Sequence, residues 1–354
     1  MNIRSLAKKE LLMVEPFDVE PIEGYIRLSL NENPTLPPMI IKSAYEKAWE
    51  YVNRYTPREI LEEFQDEVSL YNNVSSHNIF VGPGADSILT YIADAFLWKG
   101  KVASMLRITY PVYAEESLKR GAKIDFIPMT DTFTSTLEDI VEHASHSDVL
   151  FLCNPNNPTG NLVVFTLEEM EQILRSAKGI VVVDEAYYEF SGFSVSPLVS
   201  RYDNLIVVRT FSKGFALAGL RIGYAITSPE IVDILKRVSQ PYVVSTTSMV
   251  VATEALRYSR YAYENARKLK ESLYRIKQTL MGMGLKVYPS LTNFLVVEAP
   301  LGTWKRLRRN RVLTRLIHTD ISGGKEVIRI SAGDRISVSK FLKIFAEIIL
   351  EDRS

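Results

Sequence analysis

Hydrophobic and polar positions follow two patterns in the first two thirds of the chain. Residues 87–98 carry apolar side chains at the spacing of a helix face, which predicts an amphipathic helix there. Between such segments stand unbroken apolar runs, namely VLFLC (149–153), IVVV (180–183) and LIVV (205–208). Unbroken apolar strands separated by helices are typical of a parallel sheet with helices on both faces. The pattern therefore predicts an α/β fold with a mostly parallel sheet.

The pattern changes near Tyr258. A long charged helix is predicted over residues 258–284, and short strands follow it in LKVYPS, TNFLVVEA and EVIRISA. This succession is typical of a smaller α+β domain. We therefore predict two domains, a large one over residues 29–257 and a small one formed by residues 1–28 and 258–354.

The balance of charge limits the partners that the chain is expected to bind. Lys+Arg 42 against Asp+Glu 42 gives a net charge of zero, so nucleic acid is not an indicated partner. Residues 303–317 are predicted to form one helix with a basic cluster from Lys305 to Arg311. We interpret that cluster as a solvated helix face, and RNA binding is the alternative interpretation.

The composition is typical of a globular cytoplasmic protein. The chain is 46% hydrophobic and 24% charged, and no apolar run approaches the ~18 residues of a membrane span. Its N-terminus lacks the continuous apolar stretch of a signal peptide, so no membrane partner is expected. The single cysteine, Cys153, excludes an intrachain disulfide. The histidines show no clustered ligand pattern, and we expect no metal site.

Polar residues follow three of the apolar strands. Asn157 comes after VLFLC, Asp184 after IVVV and Lys213 after LIVVRTF. In sheets of this kind, ligands bind beyond the carboxyl ends of the strands. We therefore expect these three side chains to meet in one crevice, with Tyr187 beside them.

A phosphate site is predicted at the same crevice. The stretch VGPGADSI brings two glycines to the start of a helix, where backbone N–H groups bind phosphate. Thr210, Ser212 and Arg221 supply further donors. A phosphate-bearing ligand beside the amine of Lys213 suggests pyridoxal phosphate. Asp184 is then the carboxylate that keeps the pyridine nitrogen protonated.

Several stretches also carry a resemblance to a known family. They are SLNENP (29–34), NRYTP (53–57), GPGAD (82–86), TYPVY (109–113), NPNNPTG (154–160), DEAYYEF (184–190), FSKGFALAGLRIG (211–223) and VIRISAG (327–333). In this order the chain resembles the fold-type I pyridoxal-phosphate aminotransferases of class I and II, and within them it is most similar to the histidinol-phosphate aminotransferases. The resemblance implies transamination between histidinol phosphate and 2-oxoglutarate in histidine biosynthesis.

The resemblance implies a role for each matching residue near the cofactor. Lys213 corresponds to the lysine that binds the cofactor and moves protons, and Asp184 corresponds to the partner of the pyridine nitrogen. Asn157 and Tyr187 correspond to the partners of the ring oxygen O3′. The residues that correspond to the phosphate site are Ala85, Asp86, Thr210, Ser212 and Arg221.

Other matches concern stacking, the subunit interface and the substrate. Tyr110 corresponds to the aromatic residue that stacks on the cofactor ring. Tyr55 corresponds to a tyrosine that reaches the cofactor phosphate of a neighbouring subunit, which implies a homodimer with shared active sites. Arg329 corresponds to the arginine that binds the acidic group of the substrate, and Arg315 resembles a second anion-binding arginine. The implied small-molecule partners are an amino donor and a 2-oxo acid.

The amino donor is the open point at this stage. The family's substrate-contacting tyrosine, followed by proline and glycine, is absent from residues 15–25. An aromatic or broad-range aminotransferase is one alternative, and an enzyme resembling threonine-phosphate decarboxylase is another. A non-catalytic pyridoxal-phosphate module is a third. We interpret Asn31 and Asn33 as turn residues without a catalytic role.

Overall fold

The structure is a computed structural model and describes residues 3–16, 19–321 and 324–351. Its strands are β1 (Ile26–Arg27), β2 (Ile79–Gly82), β3 (Val102–Leu106), β4 (Lys123–Ile127), β5 (Val149–Cys153), β6 (Ile180–Asp184), β7 (Leu205–Thr210), β8 (Gly223–Thr227), β9 (Lys286–Val287), β10 (Phe294–Pro300), β11 (Val312–Leu313), β12 (Arg315–Ile321) and β13 (Lys325–Ser331).

The α-helices connect and cover these strands. They are α1 (Met39–Lys47), α2 (Arg58–Asn72), α3 (Ala85–Phe96), α4 (Val112–Lys119), α5 (Leu137–His146), α6 (Leu167–Ser176), α7 (Tyr188–Ser191), α8 (Pro229–Val238), α9 (Thr246–Arg257), α10 (Arg260–Gly282), α11 (Thr303–Arg309) and α12 (Arg335–Glu351). Short 3-10 turns lie at Ile3–Leu6, Lys9–Met13, Ala48–Tyr51, Ser76–Asn78, Ser196–Ser200 and Ala218–Leu220. Within the described ranges, no helix is both long and apolar enough to cross a membrane.

The larger sheet has the strand order β2-β8-β7-β6-β5-β3-β4. Strands β7, β6, β5, β3 and β4 pair in parallel, whereas β8 pairs antiparallel with both of its neighbours. The apolar runs of β5 and β7 are buried along their whole length because helices cover both faces. The predicted α/β class with a mostly parallel sheet is therefore confirmed.

Successive residues of the central strands serve the two opposite faces. Val181 and Val183 belong to the core cluster that includes helices α2, α5, α6 and α9, while Val182 belongs to the cluster that includes α3, α4 and α8. Helix α6 begins where its sequence predicts it, because Thr166 and Glu169 form a reciprocal capping box.

The smaller sheet has the order β12-β13-β10-β9, with antiparallel pairs. Helices α10, α11 and α12 contribute to one apolar cluster with it, and this cluster also includes Tyr187 and Phe190 from the segment after β6. Strand β1 pairs with β11, which joins the N-terminal segment to the C-terminal part of the chain. The separate sheets support our proposal that the domains divide near residues 28 and 257.

The prediction of one helix over residues 303–317 was wrong. Helix α11 ends at Arg309, and Arg311 takes a left-handed backbone conformation with a φ of 56°. Val312 and Leu313 then form β11 and are buried, and Arg315 begins β12. The apolar pair is buried by pairing with Ile26 and Arg27, which are distant in sequence, so helix spacing within the segment did not determine its structure.

Candidate active site

Lys213 lies directly beyond β7, in the crevice at the carboxyl ends of the parallel strands. Its Nζ donates hydrogen bonds to the backbone oxygens of Leu30 and Asn31, both at 3.1 Å. Burial, together with the positive charge of Arg329, lowers the pKa of the amine to about 8. About a tenth of this lysine is therefore a neutral nucleophile at pH 7, far more than for an exposed lysine.

Asp184 is the last residue of β6 and is 3% exposed. Its Oδ2 accepts a hydrogen bond from the Tyr113 hydroxyl at 2.7 Å, and its Oδ1 accepts one from the Ala186 N–H at 3.0 Å. Burial raises the pKa of the carboxyl to about 6. Among the described residues no basic side chain forms an ion pair with Asp184, so a cationic ligand atom beside it would stabilise the carboxylate.

Asn157 and Tyr187 follow neighbouring strands and face the same crevice. The Tyr187 hydroxyl accepts a hydrogen bond from Asn31 Nδ2 at 2.9 Å. Asn157 Oδ1 accepts one from Arg329 Nη1 at 2.6 Å. The structure thus links both predicted partners of the ring oxygen to residues outside the large sheet.

Asn31 is a site residue that the sequence interpretation set aside as a turn former. Its backbone has a φ of 54°, a left-handed conformation that asparagine adopts more readily than most residues. Ser331 Oγ donates to Asn31 Oδ1 at 2.8 Å and accepts from the Asn31 N–H at 3.0 Å. Asn31 therefore contacts Lys213, Tyr187 and Ser331 at once. Its place inside the SLNENP motif was the available signal.

Several residues of the predicted phosphate site come together at the start of α3. Gly84 precedes this helix with a φ of +87°, and a Cβ there would lie 2.8 Å from Arg221 Nη2. Because the first N–H groups of a helix have no partner within it, Ala85 and Asp86 present donors to an anion. Asp86 accepts a hydrogen bond from the Tyr110 hydroxyl at 2.8 Å and lies 3.5 Å from Arg221 Nη2.

Thr210 and Ser212 stand at the end of β7. The Thr210 hydroxyl donates to Ser212 Oγ at 3.0 Å and accepts from the Ser212 N–H at 3.1 Å. Residue 210 pairs with Gly223 on β8, and a Cβ on Gly223 would lie 3.0 Å from the backbone nitrogen of Ala85. This close approach brings the end of β7 beside the start of α3.

The small sheet contributes Arg329 to the opposite side of the crevice. Its guanidinium donates to Asn157 and to the backbone oxygen of Ser29, and lies 5.4 Å from the centre of the Phe294 ring. Its buried Nε has no hydrogen-bond acceptor among the residues that the structure describes. Burial, with the nearby charge of Arg315 contributing, lowers the pKa of Arg329 to about 10.

Two further predicted residues, Arg315 and Tyr55, have exposed side chains. Arg315 is directly opposite Arg329 in the β12–β13 pairing, and its side chain is exposed. Tyr55 is 77% exposed and stacks on Tyr242 with ring centres 4.7 Å apart. Its predicted contact involves a second subunit and stays a prediction.

The residues present fit pyridoxal 5′-phosphate. A buried lysine amine stands near a buried carboxylate that lacks a cationic partner, and both follow parallel strands. The glycine at the start of α3 leaves room for an anion beside Arg221. Lys213 would bind the cofactor aldehyde, Asp184 the ring nitrogen, and the start of α3 the phosphate.

The chain is similar to proteins of known class along almost its whole length. The profile of the family "Aminotransferase class I and II" matches residues 23–343. The histidinol-phosphate aminotransferase of Caldanaerobacter subterraneus subsp. tengcongensis is 32% identical over 359 residues, which cover 98% of this chain and 99% of that protein. The histidinol-phosphate aminotransferase of Sulfurisphaera tokodaii is 30% identical, with coverage of 99% and 97%.

A solved structure supports the fold independently. The histidinol-phosphate aminotransferase of Sinorhizobium meliloti, in complex with pyridoxal-5′-phosphate, superposes with a TM-score of 0.84 at 23% identity. The match covers 92% of this chain and 91% of that chain. At this identity the comparison shows the fold alone.

Proposed function

Because this chain belongs to the aminotransferase class I and II family, whose enzymes use pyridoxal 5′-phosphate, we propose that it transfers the amino group of histidinol phosphate to 2-oxoglutarate. This reaction is a step of histidine biosynthesis. The names of the full-length relatives support this amino donor. The observation that carries the proposal within the site is the environment of Arg329.

Arg329 supports an anionic donor for a physical reason. A guanidinium buried with one N–H unsatisfied is costly, and an anion that accepts from it removes the cost. Arg315 stands opposite on the adjacent strand and adds a second positive charge to the same side of the crevice. Two forked donors suit a phosphate dianion better than a single carboxylate. The same pair suits the carboxylates of 2-oxoglutarate.

The chain's own groups have distinct tasks in this reaction. Pyridoxal phosphate, when bound, would supply an electron sink for the Cα of the amino donor. Lys213 Nζ takes the proton from that Cα, for which its lowered pKa suits it. Asp184 would keep a proton on the ring nitrogen, and Asn157 and Tyr187 would bind the ring oxygen. Arg329 orients the donor so that its Cα–H faces Lys213.

The proposed assembly is a homodimer in the cytoplasm. Large apolar side chains are exposed in the segments on either side of α1: Leu36 is 87% exposed, Trp49 73% and Tyr55 77%. Exposed apolar surface of this size favours burial against a second copy. Light scattering should give the mass of a dimer at working concentration. A fully active monomer would rule out the role of Tyr55 at a neighbouring site.

The donor is tested by comparing kcat/KM for histidinol phosphate, phenylalanine, tyrosine and aspartate, with 2-oxoglutarate as acceptor. We expect histidinol phosphate to be preferred. Arg329→Ala should lower its kcat/KM by about tenfold to more than a hundredfold, because a contact to a charged group contributes about 1.5–3 kcal/mol. Arg260→Ala is the matched control, since that arginine is exposed on α10. Preference for an unphosphorylated donor would exclude histidinol phosphate and leave the aminotransferase class intact.

A further inference from the structure

Tyr113 lies beneath the site in the first turns of α4 and is 1% exposed. Its ring stacks on Phe151 with an interplanar angle of 4° and centres 5.1 Å apart. The Tyr113 ring also packs against the Tyr110 ring, with centres 5.7 Å apart and an interplanar angle of 82°. Its hydroxyl donates to Asp184 Oδ2 at 2.7 Å. One rigid side chain therefore touches both the residue expected on the face of the cofactor and the residue expected at its ring nitrogen.

We propose that Tyr113 is a positioning residue that fixes the Asp184 carboxylate toward the cofactor nitrogen and supports the Tyr110 ring from behind. The proposal rests on the role of Asp184 in binding the cofactor. It does not depend on which amino donor the enzyme uses.

The geometry of the carboxylate explains why such a residue is needed. Ala186 N–H binds one oxygen of Asp184 and Tyr113 binds the other, so the carboxylate cannot rotate without losing a hydrogen bond. Cys153 does not replace Tyr113 as a donor, because its thiol donates to the Pro155 oxygen. Without the tyrosine hydroxyl, the buried Oδ2 would lose its hydrogen-bond donor, and the carboxylate could rotate away from the cofactor ring.

The hydroxyl also affects the charge of Asp184. Burial raises the pKa of the Asp184 carboxyl, and the hydrogen bond from Tyr113 lowers it. Other titratable groups near Asp184 come from several elements; they are Asp86, Tyr110, Cys153, Glu185 and Tyr187. Tyr113→Phe leaves all of these in place. Loss of the hydroxyl should therefore raise the Asp184 pKa further, and the carboxylate form should persist over a narrower pH range.

The test measures cofactor binding in the absence of any donor. Cofactor-free enzyme is titrated with pyridoxal phosphate between pH 5 and 8, for wild type, Tyr113→Phe and Tyr224→Phe. Tyr224 is the matched control, because it is equally buried and its hydroxyl meets Asn72 rather than Asp184. We expect Tyr113→Phe to weaken binding by about tenfold or more and to move the acid-side midpoint to higher pH. The control should match wild type.

A double-mutant cycle separates positioning from general packing. In the Asp184→Ala background, Tyr113→Phe should change cofactor affinity by less than about threefold, because the hydrogen bond is already absent. An equal loss in both backgrounds would show a packing effect and overturn the proposal, as would unchanged binding and pH midpoint in Tyr113→Phe alone. Unchanged cofactor binding in Asp184→Ala alone would show that Asp184 does not bind the cofactor, and the role of Tyr113 would then be excluded. This outcome does not depend on which amino donor the enzyme prefers. Circular dichroism of each variant at the same pH values gives the folded fraction, so that a midpoint moved by acid unfolding is distinguished from one moved by the Asp184 carboxyl.

Discussion

The two walls of the site are built in different ways. The cofactor wall, formed by Asn157, Asp184, Tyr187 and Lys213, follows neighbouring parallel strands whose pairing fixes its residues relative to one another. The substrate wall, formed by Arg315 and Arg329, comes from a separate antiparallel sheet. It meets the cofactor wall through side-chain contacts such as that between Arg329 and Asn157.

This difference indicates that the cofactor wall carries out the chemistry and that the substrate wall selects the amino donor. The cofactor wall holds a carboxylate and an amine whose pKa values burial shifts toward neutrality, which suits proton transfer for any amino donor. The substrate wall holds arginines, and one of their buried donors lacks an acceptor in the described residues. Changes in the first wall should abolish the reaction with every donor. Changes in the second should alter the choice of donor.

Lys213→Ala should have the largest effect, since it removes the only amine proposed to bind the cofactor and move the proton. We expect loss of essentially all transamination with every donor. The variant should also lack the visible band of lysine-bound cofactor, which borohydride reduction in wild type replaces with a covalent label on Lys213. In wild type, cofactor attachment should accelerate as pH rises through about 8, because the neutral amine reacts. Lys236→Ala, an exposed lysine on α8, is the control. A label mapped to another lysine would overturn the assignment.

Asp184→Asn should lower kcat by at least about a hundredfold while the cofactor still binds, because a neutral ring nitrogen is a poor electron sink. The loss should be similar for phosphorylated and aromatic donors. In wild type, cofactor affinity should fall as pH drops through about 6, where the buried carboxylate takes up a proton. This acid limb should disappear in the variant. Turnover near the wild-type rate would contradict the proposed role.

The residues of the cofactor wall were easier to predict from the sequence than the long-range contacts around them. An unbroken apolar run followed by a polar residue is a local signal, so IVVVD alone indicated both the strand and the position of Asp184. Tyr113 lay inside a quoted motif, but its contact with Asp184 joins residues that are 71 apart. Asn31 depends on Ser331, which is 300 residues away. The spacing of residues within one segment does not predict contacts between residues so far apart. The helix predicted over residues 303–317 was wrong for the same reason, because β11 and β12 form by pairing with strands outside that segment.

Asn31→Ala tests whether the two walls are independent, because this residue contacts the cofactor wall and also Ser331, on the strand that carries Arg329. The Lys213 bond uses the backbone oxygen and should survive, whereas the bonds to Tyr187 and Ser331 should be lost. We expect kcat to fall by about tenfold for all donors, with the left-handed backbone contributing because alanine adopts it poorly. Asn310→Ala, beyond the end of α11, is the control. A loss confined to one donor would place Asn31 with the substrate wall.

Arg315→Ala should have the smallest effect and should give the sharpest division between the walls. Its side chain is exposed, so solvent screens its charge, and a change of about three- to tenfold in kcat/KM for histidinol phosphate is expected. Phenylalanine should be much less affected, because its single carboxylate needs only Arg329, whereas a phosphate dianion suits two forked donors. The effect should shrink as salt is raised, unlike that of buried Arg329. Equal losses for both donors would mean that Arg315 supports the fold of β12 rather than the substrate. A loss for histidinol phosphate alone would show that Arg315 contributes to donor selectivity. This charge lies on β12, which pairs with the strand of Arg329, and it is separate from the buried residues that act on every donor.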